Sequence, residues 1–511
     1  MPRRATARLM AALHPPWPFA RPSGRSGVPP LFRAPAHTPT HPAMPDTPTA
    51  PTPDGPQPEA HQQDVHQHGV HHPAAPHPET VTPAVAPPDV APPDVAPPDV
   101  APPDVAPPDV ALFIRTYSRY GGVEHFCYRF HEYLRAHGVP VRVLCGEMAP
   151  DVPGAKAPAL RQHSDGPQAD PDAAPLAVDI RVLGLWRPGR FMKNLGLHLA
   201  ATRALRELPP TTISVSFGNM AGCHIHRSGG PHRDFMHNSL AAQRSPLRRF
   251  TKALSRLLNP NNLLMAVLDR KIYNHPATRR VIAISQNVRA AVARQFPHSP
   301  ATVVVIPNGV DTRRFNIRRF TDLRGESRRI VGLREQHRAI GFCSSNFELK
   351  GLDRLIAALA HLPEEYVLVV AGGRRSRKYA DYAKSLGVEK RVVFLGKVAA
   401  ADMPRFYAGL DVLCHPSFYD TFGNVVAEAQ AMGVPTVTTR ATGACDLIDD
   451  GRTGRVLDQP EPWALANAIF DLRDVKAGTD FGCVEDDEQV FARYLEVIEA
   501  VRAELASDTR G

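Results

Sequence analysis

Val412-Leu-Cys-His415-Pro-Ser-Phe-Tyr-Asp420-Thr-Phe-Gly-Asn-Val-Val-Ala-Glu428-Ala-Gln-Ala-Met-Gly-Val-Pro435-Thr436-Val-Thr-Thr439 reads as a buried strand, a loop, a helix, a tight turn and a second strand. A strand joined to the next by one short helix is a crossover unit, which makes the two strands parallel. The same rhythm runs outward in both directions. Leu112 to Arg115, Val141 to Leu144, Ile213 to Phe217, Val281 to Ser285 and Val303 to Ile306 form one series of short apolar runs. Ile340 to Cys343, Val367 to Val370, Val392 to Leu395, Val412 to His415, Thr436 to Thr439 and Arg455 to Leu457 form a second. The expected fold is α/β: two doubly wound parallel-sheet domains facing across a cleft, with ligands beyond the carboxyl ends of the strands.

The amino-terminal fifth is different. Of the 53 prolines in 511 residues, 28 precede residue 106, and five copies of Ala-Pro-Pro-Asp-Val run from Ala86 to Val110. Such a repeat supports neither a ladder nor a helix, so residues 1–108 are expected to be a disordered Pro/Ala/His-rich tail. The prolines from Pro15 to Pro22 interrupt any targeting helix, and Met44 or a later start can be the real one. His61, His66, His68, His71 and His72 lie in this tail with nothing to fix a metal geometry. The expected boundaries are then 109–306, 307–480 and a final helix over 481–511 that can cross back to the first domain. Residues 161–177 read as a polar surface insertion, and the junction falls at Pro307-Asn308-Gly309.

Charge and cysteine content narrow the chemistry. The 60 Lys plus Arg exceed 51 Asp plus Glu, and the tail, with 6 Arg and 9 acids, leaves +12 on the rest. A basic body suits an anionic partner. Seven widely spaced cysteines without a Cys-x-x-Cys pair argue against a disulfide framework or structural zinc. There is no run of 18 apolar residues to span a membrane and no phosphate loop of the Gly-x4-Gly-Lys-Ser/Thr kind. Nucleic acid is disfavoured because the basic residues gather on one amphipathic helix without interleaved aromatics.

The candidate site is assembled from strand ends. A helix starting near Gly423 offers the free amides of Phe422, Gly423, Asn424 and Val425 to phosphate oxygens, with Glu428 one to two turns inside and within roughly 12 Å of Asp420. Alone, the acid pair reads as Asp420 capping the helix and Glu428 making a surface ion pair. Lys350, in Phe347-Glu-Leu-Lys350-Gly351, faces the same edge as residue 420 and is a point-charge partner for a diphosphate. In the first half, Gly121 and Gly122 follow the first strand and let a ligand approach the backbone. His226, Arg227 and His232, read as a polar loop after the Ile213 to Phe217 strand, are candidates to bind or polarise an acceptor hydroxyl. Residues 245–258 form a capped helix with Leu247, Phe250, Leu254, Leu257 and Leu258 on one stripe. Arg248, Arg249, Lys252 and Arg256 take the other side, a pattern for an anionic membrane surface or for an ordinary domain helix.

The Gly-Gly loop, Val305-Ile-Pro-Asn-Gly-Val-Asp311, Phe347-Glu-Leu-Lys350-Gly351 and the acid-x7-acid segment ending in Gly433-Val-Pro435 together resemble the family-4 glycosyltransferases of the GT-B fold, over residues 111 to 506. Within that family the chain is most similar to the lipopolysaccharide-core glucosyltransferases. The resemblance implies a retaining hexosyl transfer from UDP-glucose to a glycolipid acceptor at the inner face of the cytoplasmic membrane, with no cofactor and no metal. It makes Glu428 the ribose ligand, Lys350 a diphosphate ligand, Asp420 the sugar-side acid, and Gly121 and Gly122 the loop under diphosphate and acceptor. Two departures stand out: Asp420 replaces the family's usual Glu, and Ser345 stands where many relatives carry Arg. A nucleotide-sugar epimerase and a non-catalytic sugar-binding protein on the same fold are the alternatives.

Overall fold

The computed structural model describes residues 109–152, 180–186, 189–243, 245–373 and 376–508. The expected tail over 1–108, with its histidines and nearly all of its repeats, and the insertion over 161–177 lie outside the described residues. The first lobe runs β1 (Val110–Tyr117), α1 (Val123–Ala136), β2 (Val141–Met148), β3 (Ile180–Val182), α2 (Gly189–Arg206), β4 (Ile213–Ser216), β5 (Ile225–Ser228), α3 (His232–Asn238), α4 (Pro246–Leu257), α5 (Pro260–Tyr273), β6 (Arg280–Ala283), α6 (Gln286–Gln295) and β7 (Thr302–Val305). The second runs α7 (Phe320–Ile330), β8 (Arg338–Cys343), α8 (Leu352–Leu359), β9 (Tyr366–Ala371), α9 (Ser376–Ser385), β10 (Val392–Gly396), α10 (Met403–Ala408), β11 (Val412–His415), α11 (Asn424–Ala431), β12 (Thr436–Thr439), β13 (Gly454–Leu457) and α12 (Pro462–Asp471), followed by α13 (Asp487–Asp508).

Both sheets are parallel throughout, in the orders β3-β2-β1-β4-β5-β6-β7 and β10-β9-β8-β11-β12-β13. The expected pair of doubly wound domains is therefore present, and strand order reverses at β1/β4 in one lobe and at β8/β11 in the other. Crevices for ligands open at such reversals because neighbouring connections leave to opposite faces. The strands are apolar along most of their length because helices cover both faces: five consecutive residues of β1, Val110 to Ile114, are at most 1% exposed.

Helix α13 returns to the first lobe. Its Phe491 and Tyr494 rings sit 5.3 and 5.2 Å from Phe126 of α1, while Val490, Ile498 and Val501 complete the same core. Burying rings of this size contributes roughly 2–3 kcal/mol each, so the carboxyl terminus is a structural part of the first lobe. Arg129 of α1 adds a 2.8 Å ion pair to Asp311, just past the first sheet.

One segment departs from its sequence reading. Residues 224–235 do not form a single loop: Ile225–Ser228 is β5, a buried strand between β4 and β6. Its residues, Ile-His-Arg-Ser, lack the apolar run that marks a buried strand. Two of its polar side chains find partners, since Ser228 Oγ lies 2.6 Å from Tyr273 Oη and Arg227 Nη2 donates to Asn308 Oδ1 at 2.7 Å, whereas His226 Nδ1 and Arg227 Nε are buried without one.

Candidate active site

The exits of β8 and β11 lie side by side at the reversal of the second sheet. Phe418 N donates to Leu349 O at 3.0 Å, joining the two loops. Gly351 caps α8 at φ +74°, and a Cβ there would lie 2.3 Å from Pro416 O, so only glycine permits the approach. Lys350 is carried into this seam. Its Nζ donates to Tyr419 O at 2.9 Å and to Asp420 Oδ2 at 2.5 Å, and both side chains are largely buried. An ammonium has three N–H donors, so one is left for a ligand.

Asp420 is fixed from several sides. Its backbone N donates to Ala441 O at 2.9 Å and its carbonyl accepts from Gly443 N at 3.0 Å. His415 Nε2, at the end of β11, is 3.0 Å from Oδ2. Burial alone would raise the Asp420 carboxyl, but the His415 hydrogen bond and the Lys350 charge outweigh it and hold the group below the usual carboxylate range. An ionised carboxylate only accepts, so His415 donates its Nε2–H. Burial in turn keeps that imidazole neutral, pushing its pKa down.

Helix α11 begins directly below this pair. Gly423 stands at φ +96°, and a Cβ on it would lie 2.7 Å from Thr442 Cγ2 and 3.4 Å from Asp420 Oδ2. The first amides of the helix have no intrahelical acceptors. The Phe422 side chain is buried in the core, so only its backbone faces the site. Asn424 Oδ1 accepts from Asn308 Nδ2 at 2.9 Å, linking the helix start to the interlobe junction. Glu428, the fifth residue of α11, accepts from Tyr407 Oη at 2.7 Å. Burial pushes its carboxyl up to about 7, with Tyr407 and Arg314 opposing.

Across the cleft, Gly121 and Gly122 lie between β1 and α1. The loop before them is pinned by Asp151, whose Oδ2 accepts from Ser118 Oγ at 2.9 Å and Arg119 N at 2.6 Å. Helix α3 reaches the second lobe itself: the Phe235 and Tyr419 rings are 5.7 Å apart, and Asp234 accepts a hydrogen bond from the Tyr419 hydroxyl. Ser285 Oγ donates to Thr421 O at 2.8 Å, and Gln243 Nε2 to Glu348 Oε1 at 2.9 Å. The loop that holds Asp420 is thus clasped by the opposite lobe.

Lys350 and Asp420 are brought together above the amides of residues 422–425, and Glu428 follows on the same helix. Two first-lobe candidates are not on a cleft loop. His226 is 6% exposed on β5, edge-on to Tyr273 at 5.4 Å, and burial lowers its pKa to about 4. Arg227, 5% exposed, lies over the Phe126 ring at 4.4 Å and holds Asn308. Their place in a central strand, masked by its polar sequence, makes both part of the lobe's interior. His232 begins α3, half-buried, with Nε2 3.2 Å from Asn262 Oδ1. Sequence reading missed His415, Tyr407, Arg314 and Asn308. Only His415 had a visible signal, a polar residue closing a buried strand five positions before Asp420.

A cation with a spare N–H, beside open helix amides at a sheet reversal, can hold a diphosphate; a carboxylate one turn further along can hold a diol. Among the described residues no three or more His, Cys, Asp or Glu side chains converge as a metal site. Residues 120–314 match the family described as Glycosyltransferase Family 4, and residues 324–474 match Glycosyl transferases group 1. The chain is 28% identical over 209 residues to the lipopolysaccharide glucosyltransferase WaaG of Escherichia coli strain K12, covering 40% of this chain and 55% of that protein. It is 34% identical over 204 residues to the GDP-mannose-dependent alpha-(1-6)-phosphatidylinositol monomannoside mannosyltransferase of Mycolicibacterium smegmatis, covering 38% and 52%. These matches span about half the length of each curated relative. The crystal structure of WaaG, a glycosyltransferase involved in lipopolysaccharide biosynthesis, superimposes with a TM-score of 0.55 at 21% identity, covering 78% of this chain and 98% of that one. At that identity the likeness is one of fold.

Proposed function

Because this chain belongs to the family-4 glycosyltransferases of the GT-B fold, we propose that it moves a hexose, glucose, from a UDP-sugar to a hydroxyl of a lipopolysaccharide-core or other glycolipid acceptor. The observation that carries this reading is the Lys350–Asp420 pair, 2.5 Å apart above the start of α11 and facing the other lobe. The donor diphosphate lies on the helix amides and the third N–H of Lys350, Glu428 takes the ribose hydroxyls, and Asp420 meets the sugar. Gly121 and Gly122 close over the diphosphate from the first lobe. The acceptor oxygen bonds to the anomeric carbon as the bond to the β-phosphate oxygen breaks, and UDP leaves. A front-face path, with the leaving phosphate oxygen taking the acceptor proton, retains configuration and needs neither a metal nor a protein base. Charge builds on the departing diphosphate, so fixed donors there supply the main stabilisation. His226 and Arg227 have no part in this scheme.

Full-length protein incubated with UDP-glucose and a core-lipid acceptor is expected to release UDP and yield glycosylated lipid. An isomerised donor without acceptor consumption, or sugar-nucleotide binding without turnover across UDP, GDP and ADP donors, overturns transfer in favour of an epimerase or a binding protein.

A lipid-borne acceptor requires an approach to the membrane surface, and α4 supplies one. Leu247, Phe250, Leu254, Leu257 and Leu258 are 71, 60, 45, 80 and 72% exposed, and Leu263 and Val267 of α5 are 68 and 46% exposed. Arg248 and Lys252 flank this apolar face, whereas Arg249 and Arg256 each spend one amino group on a backbone carbonyl, Gln243 O at 3.2 Å and Met236 O at 2.5 Å. Among the described residues no helix is long and apolar enough to cross a membrane. Leu247→Asp/Leu257→Asp is therefore expected to reduce sedimentation with phosphatidylglycerol-containing vesicles about tenfold or more, with the melting temperature retained; unchanged sedimentation removes α4 from the interface.

A further inference from the structure

The second lobe carries another polar cavity at the opposite end of the same strands. Arg338, Tyr366 and Val412 are the first residues of β8, β9 and β11, and they line a pocket of about 680 Å³ together with Ile469, Arg473 and Lys476. Six residues of β8 separate it from the Lys350 loop, a distance of roughly 20 Å. It is therefore distinct from the donor site.

Its chemistry is that of an anion receptor. Arg338 and Tyr366 are direct partners in the β8–β9 register, so their side chains leave the sheet on one face. Tyr366 is 2% exposed, and its hydroxyl is buried without a hydrogen-bond partner, among charged groups that include Arg338, Glu365, Arg473 and Asp411. A buried donor of that kind costs free energy unless something binds it. Two acids line the pocket, and both are already paired: Asp411 is held by Arg324 at 2.6 Å and Arg328 at 3.0 Å and accepts from Ala339 N at 2.7 Å, and Asp474 lies 3.5 Å from Arg473 Nε, whose Nη1 donates to Phe470 O at 3.1 Å and whose Nη2 is left for a ligand. Arg338 spends one amino group on Arg473 O at 2.7 Å, which leaves further N–H groups of its fork. Donors thus arrive from β8, β9 and the segment after α12, a convergence suited to a tetrahedral oxyanion more than to a planar carboxylate. Val412, Ile469 and Leu472 give the cavity an apolar wall, and its volume exceeds what a bare phosphate fills.

We infer that this pocket binds the phosphate group of a small soluble phosphomonoester, held by Tyr366, Arg338, Arg473 and Lys476. The test is isothermal titration calorimetry of the full chain with inorganic phosphate and with glycerol 3-phosphate. Both are expected to bind, glycerol 3-phosphate more tightly, and Lys350→Ala is expected to bind them as the parent does. Tyr366→Phe should weaken binding about tenfold while leaving the melting temperature unchanged or slightly raised, because it deletes only the unpartnered hydroxyl. Arg338→Gln should weaken binding at least as much. Absence of binding at about 10 mM, or loss in Lys350→Ala with full retention in Tyr366→Phe and Arg338→Gln, overturns the site. Phosphatidic acid vesicles present the same group on a surface and are not expected to compete; competition would overturn a soluble ligand.

Discussion

Lys350→Ala is expected to lower UDP release at saturating donor and acceptor by about 100- to 1000-fold, the usual cost of removing one fixed donor from a developing oxyanion. The size follows from where the ammonium is held. Two of its three donors are taken by Tyr419 O and Asp420, so the third points from a rigid mount and needs no reorganisation as the diphosphate departs. Ser345, five residues before Lys350, carries no charge, which leaves Lys350 a larger share of the charge on the leaving group. The substitution also strips Asp420 of its cation and leaves a buried carboxylate with His415 alone, a change that can destabilise the lobe by about 3–5 kcal/mol. Turnover is therefore compared between samples matched for helical content and below the melting transition of the variant. Lys350→Ala/Asp420→Asn restores charge balance to the seam and separates the two effects. It should recover melting temperature without recovering turnover. Equal turnover in wild type and a folded Lys350→Ala protein would remove this lysine from the reaction.

What the sequence made legible was what rests on local periodicity. The alternation of short apolar runs with helical stretches yields the two doubly wound sheets. The loop, glycine and helix order of 415–433 brings Lys350 and Asp420 to one strand edge. β5 was illegible for a physical reason. A strand between two others takes its backbone bonds from its neighbours, so Ile225–Ser228 needs no apolar run of its own, and Tyr273 and Asn308 take up the Ser228 hydroxyl and one amino group of Arg227. Those partners are 45 and 81 residues distant in sequence, beyond any window of pattern reading. The same holds for Tyr407 beneath Glu428. The α4 stripe was visible as a periodicity, but a period does not say whether the apolar side meets a core or the outside; α5, with Leu263 and Val267 also exposed, continues the face instead of covering it.

Glu428 should set the pH dependence of donor affinity. Burial raises its carboxyl to about 7 in the folded protein, while the unfolded chain titrates near 4.5. Ribose hydroxyls donate to a carboxylate, so donor binding requires the ionised form. Affinity is expected to rise about tenfold per pH unit up to 7 and to level off by pH 8. Two neighbours do not titrate in this window: Tyr407 is raised well above its ordinary value, and burial pushes the Cys343 thiol up to about 12. A diphosphate diester also keeps its charge across this range. Glu428→Gln retains an acceptor for Tyr407 but not the charge, and charge-assisted bonds are roughly twice as strong as neutral ones. The variant should bind UDP-glucose about 10- to 100-fold more weakly at pH 8, with a flat profile from pH 6 to 8. Stability should move the other way. A carboxyl whose folded pKa lies above its unfolded value binds its proton more tightly when folded, so the wild-type protein loses stability as pH rises from about 4.5 through 7. Glutamine does not ionise, so the variant should melt higher than wild type at pH 8 and close to it near pH 4.5. Calorimetric donor titrations and thermal melts at both ends of the range check the two halves together. A wild-type donor affinity that is flat across pH 6 to 8, or a Gln variant that binds donor as tightly as the parent, would take Glu428 away from the ribose.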